Sequence, residues 1–341
     1  MLQSERTSQE ITEEVIAYME PALREATRLL SQPVRRMTEY HFGWVDADGR
    51  ATTPVGFRRR PALMALLCAG STQETWDGAR NAAVAATLMS AAGTVHDDIQ
   101  DREMLRKGRP TLWNAFGTDA AIQVGVALHC LAFELLANEP PRVAVELSRR
   151  AAHAIRECCS GQIRDLQAEG EPQPDLQESL DLLESTIALP TAGVAMVGAL
   201  VREAKDDEVV AAERFGFHAG MAMAFYDDWE GVWGTSRDAL EDPLADLRRR
   251  KARAFVSIAL QSSRPARDEL AAYYAGSGEP NLRELERVAD LIEDCGGRAW
   301  LETRIREHIT LAEKALPDAV PDPVAQGRLA AFVRALADEL P

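Results

Sequence analysis

The chain has 341 residues, of which 46% are hydrophobic, and it carries a formal net charge of −16 at pH 7. That apolar content is enough for a substantial core and excludes a disordered protein. The acidic charge argues against non-specific binding to nucleic acid or to anionic membrane surfaces. Because Ala and Leu dominate the apolar residues while aromatics make up only 6%, the composition predicts a nearly all-helical fold.

The cysteines and the distribution of apolar residues indicate the cellular compartment of the protein. The five cysteines are an odd number without CxxC spacing, which predicts free thiols in a reducing compartment. The first residues lack a secretory signal pattern. The longest apolar stretch, 82–95, is short and closed by charges, which predicts a buried core helix rather than a membrane span. We therefore expect a cytoplasmic protein without integral membrane association.

In chain order, the pattern begins with a helix over about 9–30, and Pro33 follows its end. Residues 42–54 carry turn signals, and a small hairpin fits there. From Arg60 onward the pattern predicts long helices broken at short polar or Gly/Pro segments: 70–72, 108–110, 139–141, 170–174, 205–207, 235–243 and 276–280. Because no Pro/Gly/Ser-rich linker divides the chain, we predict one domain over 1–341, an antiparallel helical bundle with more than four helices.

Two acid clusters stand at the ends of apolar helical stretches. In the first, Asp97 and Asp101 are four apart and share one helix face, while Asp98 is turned about 100° aside. In the second, Asp227 and Glu230 are three apart, and Asp228 follows Asp227. Stacked like charges destabilise a helix unless a cation offsets them. The pattern therefore predicts a Mg²⁺ site that holds a diphosphate, with five candidate metal ligands: Asp97, Asp101, Asp227, Asp228 and Glu230.

Basic residues near the acid clusters fit the same ligand. Arg58, Arg106, Lys107 and Lys251 are candidates for binding the phosphate oxygens that Mg²⁺ does not reach. A basic run by itself is more often a solvated helix end. The prediction of phosphate binding therefore depends on the position of these residues near the carboxylates.

Four motifs together resemble the all-trans polyprenyl diphosphate synthase family. His96 to Asp101 followed by Arg106 to Thr111 resembles its first aspartate-rich motif and the basic RRGxPT segment. Gly161 to Leu166 resembles GQxxDL, and 227–234 resembles the second aspartate-rich motif. The resemblance implies an all-α isoprenoid synthase fold, a bundle around a deep apolar cavity, and a homodimer.

The resemblance also implies roles for individual residues. The catalytic set would be Asp97, Asp98, Asp101, Arg106 and Asp227, acting with Mg²⁺ on an allylic isoprenoid diphosphate. Gln162 and Thr191 fall on further substrate-binding motifs. Ala92 and Gly93, just before the first cluster, are small where bulky residues close the pocket of short-chain relatives, which favours a geranylgeranyl chain or longer.

The chain also departs from the family pattern at several positions. Phe57 stands where a lysine for isopentenyl diphosphate is expected, and Ser90 where a histidine for the same substrate is expected. Pro190, Ala224 and Gly231 replace a lysine, a glutamine and the third aspartate of the second motif. Each lost charge-assisted contact weakens binding by on the order of 1.5–3 kcal/mol. The site for a second diphosphate is therefore expected to be impaired.

Three functions fit these observations. The departures favour a terpene cyclase, in which an allylic cation closes on its own double bonds near the aromatic faces of Phe57 and Phe225. The retained basic segment and Lys251 favour the alternative, a chain-elongating synthase that uses isopentenyl diphosphate. A non-catalytic partner subunit is a third possibility, although two retained acid clusters argue against it.

Overall fold

A computed structural model of the chain describes residues 7–52, 60–234, 244–338 and 340–341. Within these ranges the regular strands are a single two-residue pair, Leu105–Arg106 (β1) and Arg109–Pro110 (β2), and most of the remaining residues are helical. The predicted all-α class is confirmed. Phe57 and Arg58, both predicted to contact substrate, lie outside the described residues, as does the break predicted at 235–243.

The helices of the described ranges follow one another with short connections. In chain order they are α1 (Ser8–Thr27), α2 (Val34–His41), α3 (Arg60–Ala69), α4 (Gln73–Gln100), α5 (Leu112–Phe116), α6 (Thr118–Leu136), α7 (Pro141–Gln167), α8 (Leu176–Leu183), α9 (Leu189–Val201), α10 (Asp206–Trp233), α11 (Ala245–Arg248), α12 (Ala254–Leu260), α13 (Ala266–Ala275), α14 (Leu282–Asp294), α15 (Gly297–Ala319) and α16 (Pro323–Arg334). A π-helical turn, Glu184–Ala188, joins α8 to α9.

Side-chain caps account for several helix starts. Thr7 caps α1, and the Glu10 side chain accepts from the Thr7 backbone N–H, which completes a capping box. Thr72 caps α4 and Asn281 caps α14 in the same way. The predicted breaks at 70–72, 139–141, 170–174, 205–207 and 276–280 all lie at or next to helix ends. In the 42–54 connection, the described part holds one antiparallel bridge, between Val45 and Ala51.

The chain divides into two compact units, and the first comprises Met1–Ala152, Gly193–Phe215 and Ala315–Phe332. In this unit α4 packs against α1, α3 and α6. Most of the stretch predicted as a core helix is buried along α4, with Ala83, Ala85 and Val95 fully inaccessible. Its small side chains let neighbouring helices approach closely, and this rigid packing fixes the end of α4, where the first acid cluster lies.

The second unit comprises His153–Ala192, Gly216–Lys314 and Val333–Pro341. Within it α12 packs against α8, α13 and α14, and the aromatic residues Tyr226, Trp229 and Phe255 are at most 2% exposed. A polar cavity of about 920 Å³ lies between the start of α8 and the start of α13. The prediction of one domain and that of a deep apolar cavity stay predictions.

Two stretches, Thr118–Leu136 and Leu176–Val201, are long and apolar enough to cross a membrane by length and composition alone. The most apolar windows of these stretches are 39% and 44% buried inside the protein. The absence of integral membrane association therefore stays a prediction. All five cysteines are free thiols, as expected from their number and spacing.

Candidate functional site

The first acid cluster lies at the C-terminal end of α4. Asp97 is on the last turn, and Asp101 is the residue that ends the helix, where its N–H donates to the Asp97 carbonyl at 2.8 Å. Both side chains are partly exposed, whereas Asp98 is only 1% exposed. The helical periodicity predicted this division, because successive side chains on a helix are about 100° apart.

Asp98 is paired with Arg106 inside the first unit. Arg106 donates to Asp98 Oδ1 from Nε at 2.7 Å, and its Nη2 lies 2.6 Å from the same oxygen. Burial raises the pKa of Asp98 to about 6, against the lowering effect of Arg106. Arg106 Nη2 also lies 3.9 Å from Asp97 Oδ2. Asp98 therefore orients Arg106, whose side chain stays 38% exposed and has donors to spare for a phosphate.

Arg106 is carried by a tight hairpin rather than by the simple break that the sequence predicted. Lys107 and Gly108 form the turn between β1 and β2, with φ angles of 52° and 71°. Two positive φ angles are typical of the type I′ turn that joins two-residue hairpins. The turn places the Lys107 side chain at an exposed tip beside Arg106.

Contacts on both sides fix this hairpin. The Tyr40 hydroxyl donates to the Pro110 carbonyl at 2.7 Å, and the Thr111 hydroxyl donates to the Glu103 carbonyl at 2.7 Å. Arg109 donates to the Val45 carbonyl at 3.0 Å, and its guanidinium lies 4.8 Å from the centre of the Tyr40 ring. The cations of the basic segment are thus held at the end of α4 by several independent bonds.

The second acid cluster lies near the C-terminal end of α10, in the second unit. Asp227 is exposed, Asp228 is 9% exposed, and Glu230 is partly exposed and accepts from the Tyr226 hydroxyl at 3.4 Å. A Cβ added to Gly231 would meet nothing within 4 Å. There is therefore room at position 231 for the carboxylate that the family pattern has.

Asp228 belongs to a buried group of charges that sequence reasoning missed. Arg253 Nε lies 3.5 Å from Asp228 Oδ1, and Arg253 Nη2 lies 2.8 Å from Asp246 Oδ2. Burial raises the pKa of Asp228 to about 7, although Arg253 lowers it. Burial also raises the pKa of Asp246, but Arg253, Lys251 and Arg249 outweigh it and bring the value to about 2.

Lys251 is the second cation of this group. Its side chain is 1% exposed and its Nζ lies 2.7 Å from Asp165 Oδ2. Asp165 is the aspartate of the GQIRDL segment, so the motif itself was the signal that could have found it. The structure thus makes Lys251 a counter-ion of Asp165, and direct contact of Lys251 with a substrate diphosphate stays a prediction.

The predicted wall residues differ in their surroundings. Ala92 is fully buried in the first unit, whereas a Cβ added to Gly93 would meet nothing within 4 Å, so open space lies beside Gly93. In the second unit, Gln162 is partly exposed and the Thr191 hydroxyl donates to the Ile187 carbonyl at 2.7 Å. Phe225 is 1% exposed and packs edge-on against neighbouring rings, as an ordinary core residue does.

The donor set fits a hard divalent cation. Carboxylate oxygens are the protein ligands that Mg²⁺ prefers, and Mg²⁺ is usually held by one or two of them together with substrate phosphates. Asp228 Oδ2 is buried without a hydrogen-bond partner among the described residues. In the same ranges, no group of three or more His, Cys, Asp or Glu side chains is close enough to hold a metal by itself.

The family model described as polyprenyl synthetase matches the chain over residues 47–292. The chain belongs to the polyprenyl synthetase family. It is thereby an enzyme of the trans-prenyltransferase kind. The resemblance inferred from the motifs is confirmed, and so is the all-α isoprenoid synthase fold that it implied.

Named relatives of this polyprenyl synthetase cover nearly its whole length. A geranylgeranyl diphosphate synthase of Mycobacterium tuberculosis is 34% identical over 313 residues, 91% of this chain and 89% of the relative. A (2E,6E)-farnesyl diphosphate synthase of the same species is 34% identical over 308 residues, 87% of this chain and 85% of the relative. The crystal structure of a polyprenyl synthetase from Streptomyces coelicolor A3(2) is 30% identical, covers 96% of this chain and 99% of its own, and superimposes with a TM-score of 0.88.

This polyprenyl synthetase accommodates one of its sequence departures in its backbone. Pro190 has no N–H to donate to the Thr186 carbonyl one turn earlier. The π-helical turn, which contains Thr186, ends two residues before Pro190, and the Cys158 thiol lies 4.0 Å from the Thr186 carbonyl as a donor. Ser90, another departure, is exposed on α4.

Proposed function

We propose that the chain is a chain-elongating trans-prenyl diphosphate synthase that joins isopentenyl diphosphate to an allylic diphosphate, with a product of geranylgeranyl length. The observation that carries the proposal is the hairpin, which holds Arg106 and Lys107 beside the first acid cluster. A second diphosphate adds phosphate oxygens that need cations besides Mg²⁺, and Arg106 and Lys107 can supply them. Two of the relatives named above are elongating synthases, and each matches this chain over most of its own length. Their similarity supports the same function.

The cyclase interpretation favoured by the sequence departures has no support from these relatives. Its structural arguments are also weaker than the sequence suggested, because Phe225 is packed in the core of the second unit rather than set aside for a cation. Phe57 lies outside the described residues. Ser90 is therefore the one isopentenyl-site departure with a described position, and it is compatible with a weakened rather than a lost site.

Mg²⁺, when bound, would supply positive charge to the departing diphosphate. The candidates for holding it are Asp97 and Asp101 in the first unit, and Asp227, Asp228 and Glu230 in the second. The protein's own side chains bind and orient the reactants. Asp98 keeps Arg106 directed, and Arg106 and Lys107 contribute charge-assisted hydrogen bonds to phosphate oxygens. In the reaction one carbon–carbon bond forms between the two substrates, and diphosphate and one proton leave.

Product length follows from the space at the end of α4. Open space beside Gly93 supports a chain longer than a farnesyl group. The two relatives named above are a geranylgeranyl and a farnesyl synthase, so their names alone do not decide between these lengths. Gly93 is the feature that favours the longer product.

The test is an incubation of the purified chain with Mg²⁺ and farnesyl diphosphate, with and without isopentenyl diphosphate, followed by mass spectrometry of the products. We expect a geranylgeranyl-length diphosphate only when isopentenyl diphosphate is present, and no product when a chelator removes Mg²⁺. A hydrocarbon or alcohol formed without isopentenyl diphosphate would instead identify a cyclase. No turnover under any condition would favour the non-catalytic subunit.

A matched pair of lysine variants tests the role of the hairpin. Lys107→Gln is expected to raise the KM for isopentenyl diphosphate by about 10- to 100-fold, since it removes one charge-assisted hydrogen bond. Lys205→Gln changes an exposed lysine of the same unit and is expected to leave that KM unchanged. Equal KM values for the two variants would contradict the proposed site.

We also propose that the enzyme is a homodimer, as the resemblance implies. Ile122 and Val126 are 41% and 48% exposed, and they are four residues apart on one face of α6, where Cys130 is exposed as well. A contiguous exposed apolar face is typical of a protein–protein contact. A cytoplasmic location, the absence of nucleic-acid binding and the absence of membrane association stay predictions from the sequence.

A further inference from the structure

Five charged side chains, three of them buried, meet in the second unit around the second acid cluster. Three are the carboxylates of Asp165 (α7), Asp228 (α10) and Asp246 (α11), and two are the cations of Lys251 and Arg253, from the connection between α11 and α12. Apart from Asp246, whose side chain is 32% exposed, none of these side chains is more than 16% exposed.

Not every carboxylate oxygen of this group is paired, although Arg249 also borders the group, with its Nη2 3.5 Å from Asp246 Oδ1. An uncompensated buried charge is expensive, so such a group needs a further cation or a proton. Two buried carboxylate oxygens, Asp228 Oδ2 and Asp165 Oδ1, have no hydrogen-bond partner among the described residues. A cation beside Asp228 Oδ2, an unpartnered oxygen of the acid motif, would supply the missing partner.

Arg253 connects the group, since it lies near all three carboxylates. Its Nε and Nη2 lie 2.9 Å and 2.8 Å from Asp246 Oδ2, its Nε lies 3.5 Å from Asp228 Oδ1, and its Nη1 lies 3.8 Å from Asp165 Oδ1. A planar guanidinium with donors in fixed directions can hold several carboxylates in one arrangement, which a single ammonium cannot do. Among the described residues no other cation approaches all three.

We propose that Arg253 is a positioning residue for the metal–diphosphate site: it engages Asp228 Oδ1 and leaves Asp228 Oδ2 to a divalent cation. The inference rests on the proposed function, because it takes the second acid cluster to hold Mg²⁺ together with a diphosphate. Arg253 itself touches neither the metal nor the substrate in this arrangement. It acts through Asp228, and through Asp246 it ties α11 to the acid motif of α10.

The first test is a binding measurement. Binding of inorganic pyrophosphate to the full chain is followed by calorimetry over a series of Mg²⁺ concentrations. Removing an outer partner of a metal ligand typically weakens metal binding by about 10- to 100-fold. We expect Arg253→Met to raise the Mg²⁺ concentration needed for half-maximal pyrophosphate binding by that factor. Arg253→Lys keeps the positive charge but lacks the planar guanidinium. We expect its half-maximal Mg²⁺ concentration to lie between those of wild type and Arg253→Met, about tenfold above wild type.

Two further variants separate positioning from charge and from general stability. Arg253→Met combined with Asp246→Asn restores the charge balance without the clamp, and we expect Mg²⁺-dependent binding to stay weak. Arg287→Met removes an exposed arginine paired with Glu269 in the same unit, and we expect wild-type binding. Circular dichroism checks that each variant is folded. If Arg253→Met does not fold, Arg253→Lys carries the test.

Unchanged Mg²⁺-dependent binding in a folded Arg253→Met or Arg253→Lys variant would overturn the inference, as would full recovery in the charge-balanced double variant. These outcomes are distinct from failure of the proposed function. If wild-type protein binds pyrophosphate in an Arg253-dependent way but does not elongate prenyl chains, the positioning role stands and the elongating activity falls. If the wild-type protein elongates prenyl chains and Arg253 substitutions leave pyrophosphate binding unchanged, the elongating activity stands and the positioning role falls.

Discussion

At the scale of single residues, the two acid clusters share one arrangement. In each, the first aspartate is the more exposed of the adjacent pair, as with Asp97 and Asp227, and the second is buried against an arginine. Helical periodicity predicted that adjacent aspartates face different directions. It could not predict which arginine each buried aspartate meets, because Arg253 reaches Asp228 from a separate element of the chain.

A pair of partly buried histidines in the second unit leads to a pH dependence of stability. His218 Nδ1 and His308 Nδ1 are 3.2 Å apart, and the His308 ring packs edge-on against Phe225. Burial lowers the pKa of His308 to about 4, and His218 and Arg304 lower it further in the same direction. Between pH 4 and 6.5 the unfolded chain therefore binds a proton at position 308 that the folded chain does not.

Because the unfolded state holds that additional proton, the stability of the folded state rises with pH through this window and falls on acidification. Going from pH 7.5 to 4.5 should cost the wild type about 2–3 kcal/mol from His308 alone. His308→Phe keeps a ring against Phe225 and removes the titration, so it should lose less stability over the same range. Urea unfolding at both pH values measures the difference.

The control for this comparison is His153→Gln, which changes an exposed histidine of the same unit. It should follow the wild-type pH dependence. Parallel pH profiles for wild type and His308→Phe would show that His308 is charged in the folded protein, contrary to the expectation.

At the scale of elements, α10 carries two glycines with opposite surroundings. A Cβ added to Gly220 would lie 2.7 Å from the Ala188 Cα and 2.9 Å from the Thr191 Cβ, so α10 packs closely against the π-helical turn and the start of α9. A Cβ added to Gly231 would meet nothing within 4 Å. The close approach at Gly220 fixes the depth at which α10 lies beside Thr191.

Alanine substitutions at the two glycines should therefore change stability in opposite directions. Gly220→Ala should lower the free energy of unfolding by about 1–3 kcal/mol, because backbone and a β-branched side chain must move. Gly231→Ala should raise it by up to about 1 kcal/mol, because alanine favours a helix over glycine. Thermal unfolding of both variants is the measurement, and a destabilised Gly231→Ala would contradict the open space described at that position.

The hairpin β1–β2 shows where local sequence signals were too weak. Its strands are two residues long, and the turn needs a positive φ angle at Lys107, where Asn, Asp or Gly is the usual residue. The only local signals for a turn were Gly108 and Pro110, in the break predicted at 108–110. The conformation is enforced by tertiary contacts such as the Tyr40 hydroxyl on Pro110 and the Thr111 hydroxyl on Glu103, which no window of a few residues contains.

At the scale of the whole molecule, the class of fold and the helix boundaries followed from composition and periodicity, since both are local properties of the chain. Pairings between distant segments did not. Asp165 and Lys251 are 86 residues apart and form an ion pair that joins α7 to the connection after α11. The acid clusters were identifiable because their spacing is local, whereas Asp165, Asp246 and Arg253 became part of the site only through folding.

The proposed dimer is the property of the whole molecule that is simplest to test. Ile122→Glu combined with Val126→Glu places two charges on the apolar face of α6, and we expect self-association at least about 100-fold weaker than in wild type, since buried unpaired charges are costly. Sedimentation velocity over a concentration series measures it. The control is Val324→Glu, at a residue of α16 that is 47% exposed. It should leave the self-association of the chain unchanged. A wild-type chain that sediments as a monomer would contradict the proposal.

His96, the residue before Asp97, has a ring that fits against α6 at Gly125, where a Cβ would collide with the imidazole. Its Nε2 lies 3.3 Å from the Ile122 carbonyl on the same helix. A side chain at position 125 would therefore require a smaller residue at 96, and the two positions are expected to vary together among related sequences. A larger residue at position 125 would displace the His96 ring and with it the adjacent Asp97. A substitution on α6 is therefore expected to shift the position of the Asp97 carboxylate.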